Sequence, residues 1–244
     1  MSAVTIVQLY PGELGVAGDR GNVMALRVRL ELAGHTATLV QHQPGGKLPD
    51  AADIIVVGAG PLSAIRTIHD DLLAIGPTLR ALASSGVPVF AYGSGAEVLG
   101  HEIVLQTGGT LPGVGLFPFR ARRTTDRKVG YILTDTDHGR LVGFEDHASR
   151  WELDQDATAF GTVVVGGGNG DGREGVVAGV SIATQVGGPA LPLNPALADV
   201  LLGSALSRRG LDYAPGEAPG RLDNFAERAR AVMIQHSKHV FSRI

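Results

Sequence analysis

The segment VPVFAYGSGAEVLG, Val87 to Gly100, runs from a buried apolar stretch through a tight glycine turn into helix-forming residues. In an α/β protein such a turn displays a nucleophile at the mouth of the sheet. Here the turn is Gly93-Ser94-Gly95, and the chain contains no cysteine. Thiolate attack, thiolate metal ligation and disulfides are excluded together. Ser94 is the one hydroxyl in the turn, and a serine nucleophile needs a base within hydrogen-bond reach and an oxyanion hole. The residues two before and two after it are Tyr92 and Ala96, so the G-x-S-x-G frame is absent. His101 is too close in sequence to fold back easily, and His147 lies far along the chain. A turn-forming Ser94 is expected, with a nucleophile as the alternative.

Other polar positions admit both a structural and a functional reading. Asp19 and Asn22 lie in Gly18-Asp19-Arg20-Gly21-Asn22, which opens a helix; Asp19 caps that helix, or the loop faces a pocket or partner. Gly58-Ala59-Gly60 closes a strand, as a tight turn or as backbone amides that take a carboxylate or carbonyl oxygen. Glu145, Asp146 and His147 resemble a metal cluster in type. Adjacent strand residues point to opposite faces, so polar lining is expected, with Arg150 nearby and no metal. Asn169 and Asp171 shape the glycine loop Gly166 to Gly175 through local side-chain bonds. Arg120, Arg122, Arg123, Arg127 and Lys128 form a moderate basic patch without interleaved aromatics. It reads as a solvated loop or an anionic contact, and no nucleic-acid partner is expected.

These groups must be positioned by a core of aliphatic residues, because 44% of the chain is apolar but only 5% aromatic. Strands are expected at Val4–Tyr10, Thr36–Val40, Asp53–Val57 and Val87–Tyr92, with helices at Asn22–Ala33 and Ile65–Ser85 between them. Gly76-Pro77 should interrupt or kink the second helix. Continuous apolar strands alternating with helices predict a mostly parallel sheet covered on both faces. The middle changes character: Gly108–Thr134 is rich in glycine, arginine and threonine, and Leu141–Phe144, Trp151–Leu153 and Gly161–Val165 read as short antiparallel or edge strands. Apolar character returns at Val176–Thr184. A helix follows at Pro195–Arg209, then a hinge at Pro215–Gly220 and a last helix at Leu222–His239. The expected organisation is one domain over 1–212 with a helical extension over 213–244. Phe225, Ala229, Val232, Met233 and His236 form a face that packs on the domain or on another subunit. The N-terminus lacks the marks of a signal peptide, and no apolar run is long enough to span a membrane, so a cytoplasmic location is expected.

Four segments carry a resemblance together: Leu9 to Asn22, Val89 to Gly100, Gly143 to Arg150 and Asn169 to Leu202. In their order and spacing they resemble the CobB/CobQ-like branch of class I glutamine amidotransferases. Within it, the chain is most similar to the glutaminase subunits of lipid II isoglutaminyl synthase, over about Val4 to Arg209. The resemblance implies a flavodoxin-like three-layer α/β fold, no cofactor and a Mur-ligase-like partner, with a homodimer as a further possibility. The family's elbow reads roughly Cys-Gly-Gly-Tyr-Gln-Leu-Leu-Gly, which puts its cysteine at Gly93 and matches Ser94, Gly95, Ala96 and Glu97 to the next four positions. Its histidine, in Leu-His-Gly-Pro, falls on Gly187. Gly58-Ala59-Gly60 corresponds to its oxyanion turn. Both members of the Cys-His pair are thus replaced by glycine, and Gly93, Gly95, Gly187 and Gly188 should leave a bare cleft. The implied function is a non-catalytic subunit that supports or regulates a Mur-ligase-like amidating enzyme. The alternatives are a divergent amidohydrolase using Ser94 and a stand-alone ligand-binding module.

Overall fold

A computed structural model describes residues 3–49, 51–216 and 220–237. The chain order is β1 (Val4–Leu9), α1 (Asp19–Leu32), β2 (Ala37–His42), β3 (Ile54–Val57), α2 (Leu62–Ser84), β4 (Val89–Tyr92), α3 (Gly93–Leu99), β5 (Glu102–Val104), β6 (Thr110–Pro112), β7 (Phe119–Thr136), β8 (Gly139–Leu153), β9 (Gly161–Val165), β10 (Arg173–Glu174), β11 (Val176–Ala178), β12 (Ser181–Thr184), α4 (Ala190–Leu193), α5 (Pro195–Arg208) and α6 (Gly220–His236).

The first sheet has the order β11-β12-β4-β3-β1-β2. Five strands run parallel, and only the edge strand β11 is antiparallel to its neighbour. The strands read as continuous apolar runs because both faces are covered. Alternate residues divide between two cores. Val7, Leu9, Ile55, Val57, Val89 and Ala91 join Ile65, Ile68 and Leu72 of α2. Ile6, Ile54, Val56 and Phe90 join Val23, Leu26 and Leu30 of α1 and Leu197 and Leu201 of α5.

Two expectations about elements need correction, and one stretch left unassigned resolves into strands. The helix expected to break at Gly76-Pro77 runs unbroken through Pro77. Proline removes one donor, but Ile68, Leu72 and Leu79 bury a continuous face across it. Asp19 is the first residue of α1 and not its cap; the cap position is Gly18, at φ 82°. The apolar stretch at 176–184 is a hairpin, β11 and β12, turning at Gly179.

The largest difference is in the middle of the chain. The arginine-rich stretch is no solvated loop. It lies largely in β7, which pairs antiparallel with β8 from Phe119↔Leu153 to Thr136↔Gly139 as one long hairpin in a second six-stranded sheet. Its inner face is apolar, with the Phe119 and Trp151 rings stacked at 4.3 Å. Its outer face pairs charges across the strands: Arg122 with Glu152, and Arg127 with Asp146. The register jumps between Arg123 and Lys128, so Thr124–Arg127 bulge opposite Ala148 alone. Such bulges re-aim side chains, and this one overhangs the end of β4.

The last helix, α6, ends at His236; its expected extension to 239 and part of the expected hinge, 217–219, lie outside the described residues. It rests on the body through Ala226, an Asp223–Arg29 ion pair at 2.6 Å, and Arg230, which donates to Asn194 and to the Arg140 carbonyl.

Candidate functional site

The elbow forms as expected. Tyr92 ends β4, Gly93 adopts φ 53°, and α3 begins at once. That positive φ is the left-handed region in which glycine is unstrained. Three loops stack here at backbone contact. A Cβ on Gly95 would lie 2.0 Å from the Gly58 carbonyl oxygen, and one on Gly58 would lie 2.1 Å from that of Leu14. These glycines serve close packing, so most of them do not leave open space.

Gly187 makes this point most sharply. Its backbone bridges β8 in both directions: Gly187 N–H donates to the Phe144 carbonyl at 2.9 Å, and Phe144 N–H to that of Gly187 at 3.1 Å. A Cβ at this position would fall 1.8 Å from Cζ of Tyr92. The phenol of Tyr92 therefore fills the volume of any side chain at 187. It is 5% exposed, and its hydroxyl meets the Gly188 amide. Burial, reinforced by the carboxylates of Asp19, Asp146 and Glu145, holds its ionisation well above the ordinary tyrosine range. The expected bare cleft is corrected at this wall: the Tyr92 ring fills the space that a side chain at 187 would need.

Ser94 is tied to the neighbouring turn. Its hydroxyl donates to the Gly60 carbonyl at 2.7 Å and accepts from the Gly60 amide at 2.9 Å. Its proton is thus committed to a carbonyl rather than a base. The same pairing consumes the Gly60 donor expected to face an oxyanion. His101 and His147 are engaged elsewhere, with Asp154 at 2.8 Å and Glu145 at 3.1 Å. Nothing here activates Ser94 as a nucleophile.

Beneath the elbow lies a charge cluster. Glu97, 1% exposed on α3, meets Arg123 of β7 at 2.6 Å and accepts from Ser149 at 2.7 Å. Gln185 donates to the Ser149 hydroxyl at 3.2 Å. Glu174 is fully buried behind it, accepting from Thr184 at 2.9 Å and the Gln185 amide at 2.6 Å. Burial pushes its carboxyl up to about 7, against those hydrogen bonds.

The other expected positions divide. The cleft, about 510 Å³, is lined by Ala59, Gly60, Gly93 and Ser94 on one side and by Asp146 and His147 on the other. Tyr92, Glu97, Arg123 and Arg127 complete it. Asp19 lies below it with no exposure, and burial raises its carboxyl to about 6 while the amides of Ala59 and Ala17 hold it down. Asn22 accepts from the Leu191 amide at 2.9 Å and braces α1 on α4. Glu145 points away from Asp146 and accepts from the Gly167 and Gly168 amides at 2.7 and 3.2 Å. No metal-binding group of acids and histidines occurs among the described residues. Arg150 lies outside the cleft, packed over the glycine loop that Asn169 pins to Gly175. Arg20 is exposed on α1.

Sequence reasoning missed Tyr92 and the Glu97–Arg123 pair. The second carried a signal: an acid stands where the family pattern has glutamine, and an arginine-rich strand follows.

A parallel sheet with a strand–glycine–helix elbow, a glycine turn after the adjacent strand and a third loop after β12 defines a class I glutamine amidotransferase scaffold without its nucleophile. Residues 5–191 match the CobB/CobQ-like glutamine amidotransferase domain, and the chain belongs to that family. It is 29% identical over 240 residues to the GatD subunit of lipid II isoglutaminyl synthase (glutamine-hydrolyzing) from Staphylococcus aureus, covering 97% of each chain. It is 28% identical over 214 residues to the Streptococcus pneumoniae GatD subunit, covering 84% of this chain and 82% of that one. Among solved structures, a glutamine amidotransferase superposes with a TM-score of 0.58 at 20% identity, covering 82% of this chain and 98% of its own. One from Thermotoga maritima gives 0.53 at 14%, covering 96% and 94%. With no cysteine in the chain, the family's thiol-dependent glutamine hydrolysis is absent.

Proposed function

We propose that this protein is a non-catalytic amidotransferase-like subunit that binds a Mur-ligase-like enzyme and supports its amidation of a peptidoglycan stem peptide with free ammonia. The reading takes its subunit role from the two GatD relatives, each named as a subunit of lipid II isoglutaminyl synthase, and its Mur-ligase-like partner from the sequence resemblance. The observation that carries it is the pair Gly93 and Gly187, with the Tyr92 ring in the second position. Around the remaining cleft the neighbouring groups are packed, with Ser94 on Gly60 and Arg123 on Glu97. A packed scaffold fits selection for a well-folded subunit rather than for turnover. The flavodoxin-like three-layer scaffold then serves as a platform.

The test is co-expression of the full chain with the Mur-ligase-like protein of its own host. A stable complex that amidates with ammonium chloride, needs this chain and does not respond to glutamine is the expected result. Absence of any complex would sink the proposal.

A further inference from the structure

The search for unused surface leads to a groove between α1 and α6, about 630 Å³ in volume and almost wholly apolar. Met24 and Val28 line one side; Leu222, Phe225, Ala229 and Met233 line the other. Gly187, Gly188 and Phe144 contribute to its lining, so it abuts the wall of the vestigial cleft.

On α6, Leu222, Phe225, Ala229, Val232 and His236 follow one another at alternating spacings of three and four. That is the narrow seam of a helix meant to pair with another helix. Asp223, Ala226 and Arg230 tie the helix to the body, and the first two also line the groove. The seam itself is open: Leu222, Phe225 and Val232 are 44%, 52% and 55% exposed.

The rims decide what fits. Arg221 and Arg228 flank the seam on α6, and Arg20 and Arg27 flank Met24 on α1; all four are exposed. The acids here are already paired, Glu31 with Arg27 at 2.9 Å and the groove-lining Asp223 with Arg29 at 2.6 Å, and Glu227 lies on the opposite side of α6. Arg228 also covers the Phe225 ring, 4.7 Å from its centre. A second copy of this chain would bring arginines against arginines, which is costly at a desolvated edge.

We propose that this groove receives an amphipathic helix of a different protein, with apolar residues along its seam and glutamates or aspartates flanking them. The occupant's helix lies along α6, and its acids meet Arg221 and Arg228 on α6 and Arg20 on α1. This deepens the subunit reading by naming the docking face and the chemistry of the partner's contact, but the groove is defined independently of which enzyme supplies the helix.

The test has two arms on the full-length chain. In the first, fluorescence anisotropy compares synthetic helical peptides with leucine seams flanked by glutamate or by lysine. The glutamate peptide should bind at least about tenfold more tightly. R221E/R228E should reverse that order, and F225D should abolish binding. These side chains are exposed, so the variants keep the fold; circular dichroism checks this. Equal binding of both peptides, no binding, or a homodimer that F225D dissociates would overturn the proposal. In the second arm, the Mur-ligase-like subunit replaces the peptide. Its binding to wild type but not to F225D supports the proposal, and unchanged binding to both counts against this face. Failure of that subunit to bind wild type, with the peptide preference intact, removes the subunit reading and leaves the groove standing.

Discussion

Tyr92 walls one side of the cleft, because its ring and any side chain at 187 require the same space. Gly187 has no positive φ, so its backbone would accept a side chain. The nearest obstacle is the phenol. Gly187→His should therefore destabilise the protein by about 1–3 kcal/mol through overpacking, and adding Tyr92→Ala should recover part of that loss in urea denaturation. The pair Gly93→Cys and Gly187→His should show no glutaminase activity while Tyr92 remains. At Ser94 the argument runs the other way. Ser94→Ala leaves the Gly60 amide and carbonyl without their partner. It should cost about 1–3 kcal/mol, measured by thermal or urea unfolding, with no catalytic signal to lose. A structural Ser94 was expected from the sequence, but its bond to Gly60 and the role of Tyr92 were not legible there. The vacancies at 93 and 187 could be read from flanking motifs, but what filled them depends on β4 and the loop after β12 lying side by side.

Among the elements, the β7–β8 hairpin is bound to α3 by a buried charge. Glu97 is almost fully enclosed, so Arg123→Met would strand a carboxylate and should cost about 3–5 kcal/mol. The double change Arg123→Met with Glu97→Gln should be milder than the single one, because no buried charge is left unpaired. A double-mutant cycle in urea measures the difference; equal costs would count against the pair as the fastening. This hairpin was also the least legible element. Parallel strands announce themselves as apolar runs, as Ile54–Val57 does. β7 instead carries Arg120, Arg122, Arg123, Arg127 and Lys128, and these charges are answered by β8 for Arg122 and Arg127, by Glu97 of α3 for Arg123, by Glu102 of β5 for Arg120 and by Asp126 for Lys128. A strand whose partners lie some twenty residues away looks like a polar loop until the pairing is known.

For the molecule as a whole, two buried carboxyls set a pH trend. Glu174 and Asp19 have native values of about 7 and about 6, above their ordinary 4.5 and 3.8. The native state thus binds more protons than the unfolded chain across that interval, so both groups erode stability as pH rises from about 4 to about 7. Their favourable contribution is fully present below the ordinary values and lost above the native ones. Glu174→Gln should flatten this fall, since the amide oxygen can keep the bonds from Thr184 and Gln185 while the charge is removed. Urea midpoints at pH 5 and pH 8 test it; an unchanged slope would exonerate Glu174. At this scale the alternating β–α order was plain from sequence, whereas the second sheet and the groove under α6 were not. The ring at Tyr92 also has a historical consequence. With it set against a glycine at 187, a histidine introduced there by a single substitution would first produce a clash and a less stable protein. The change acts as a ratchet, and any descendant of this chain is steered toward new roles rather than back to the old chemistry.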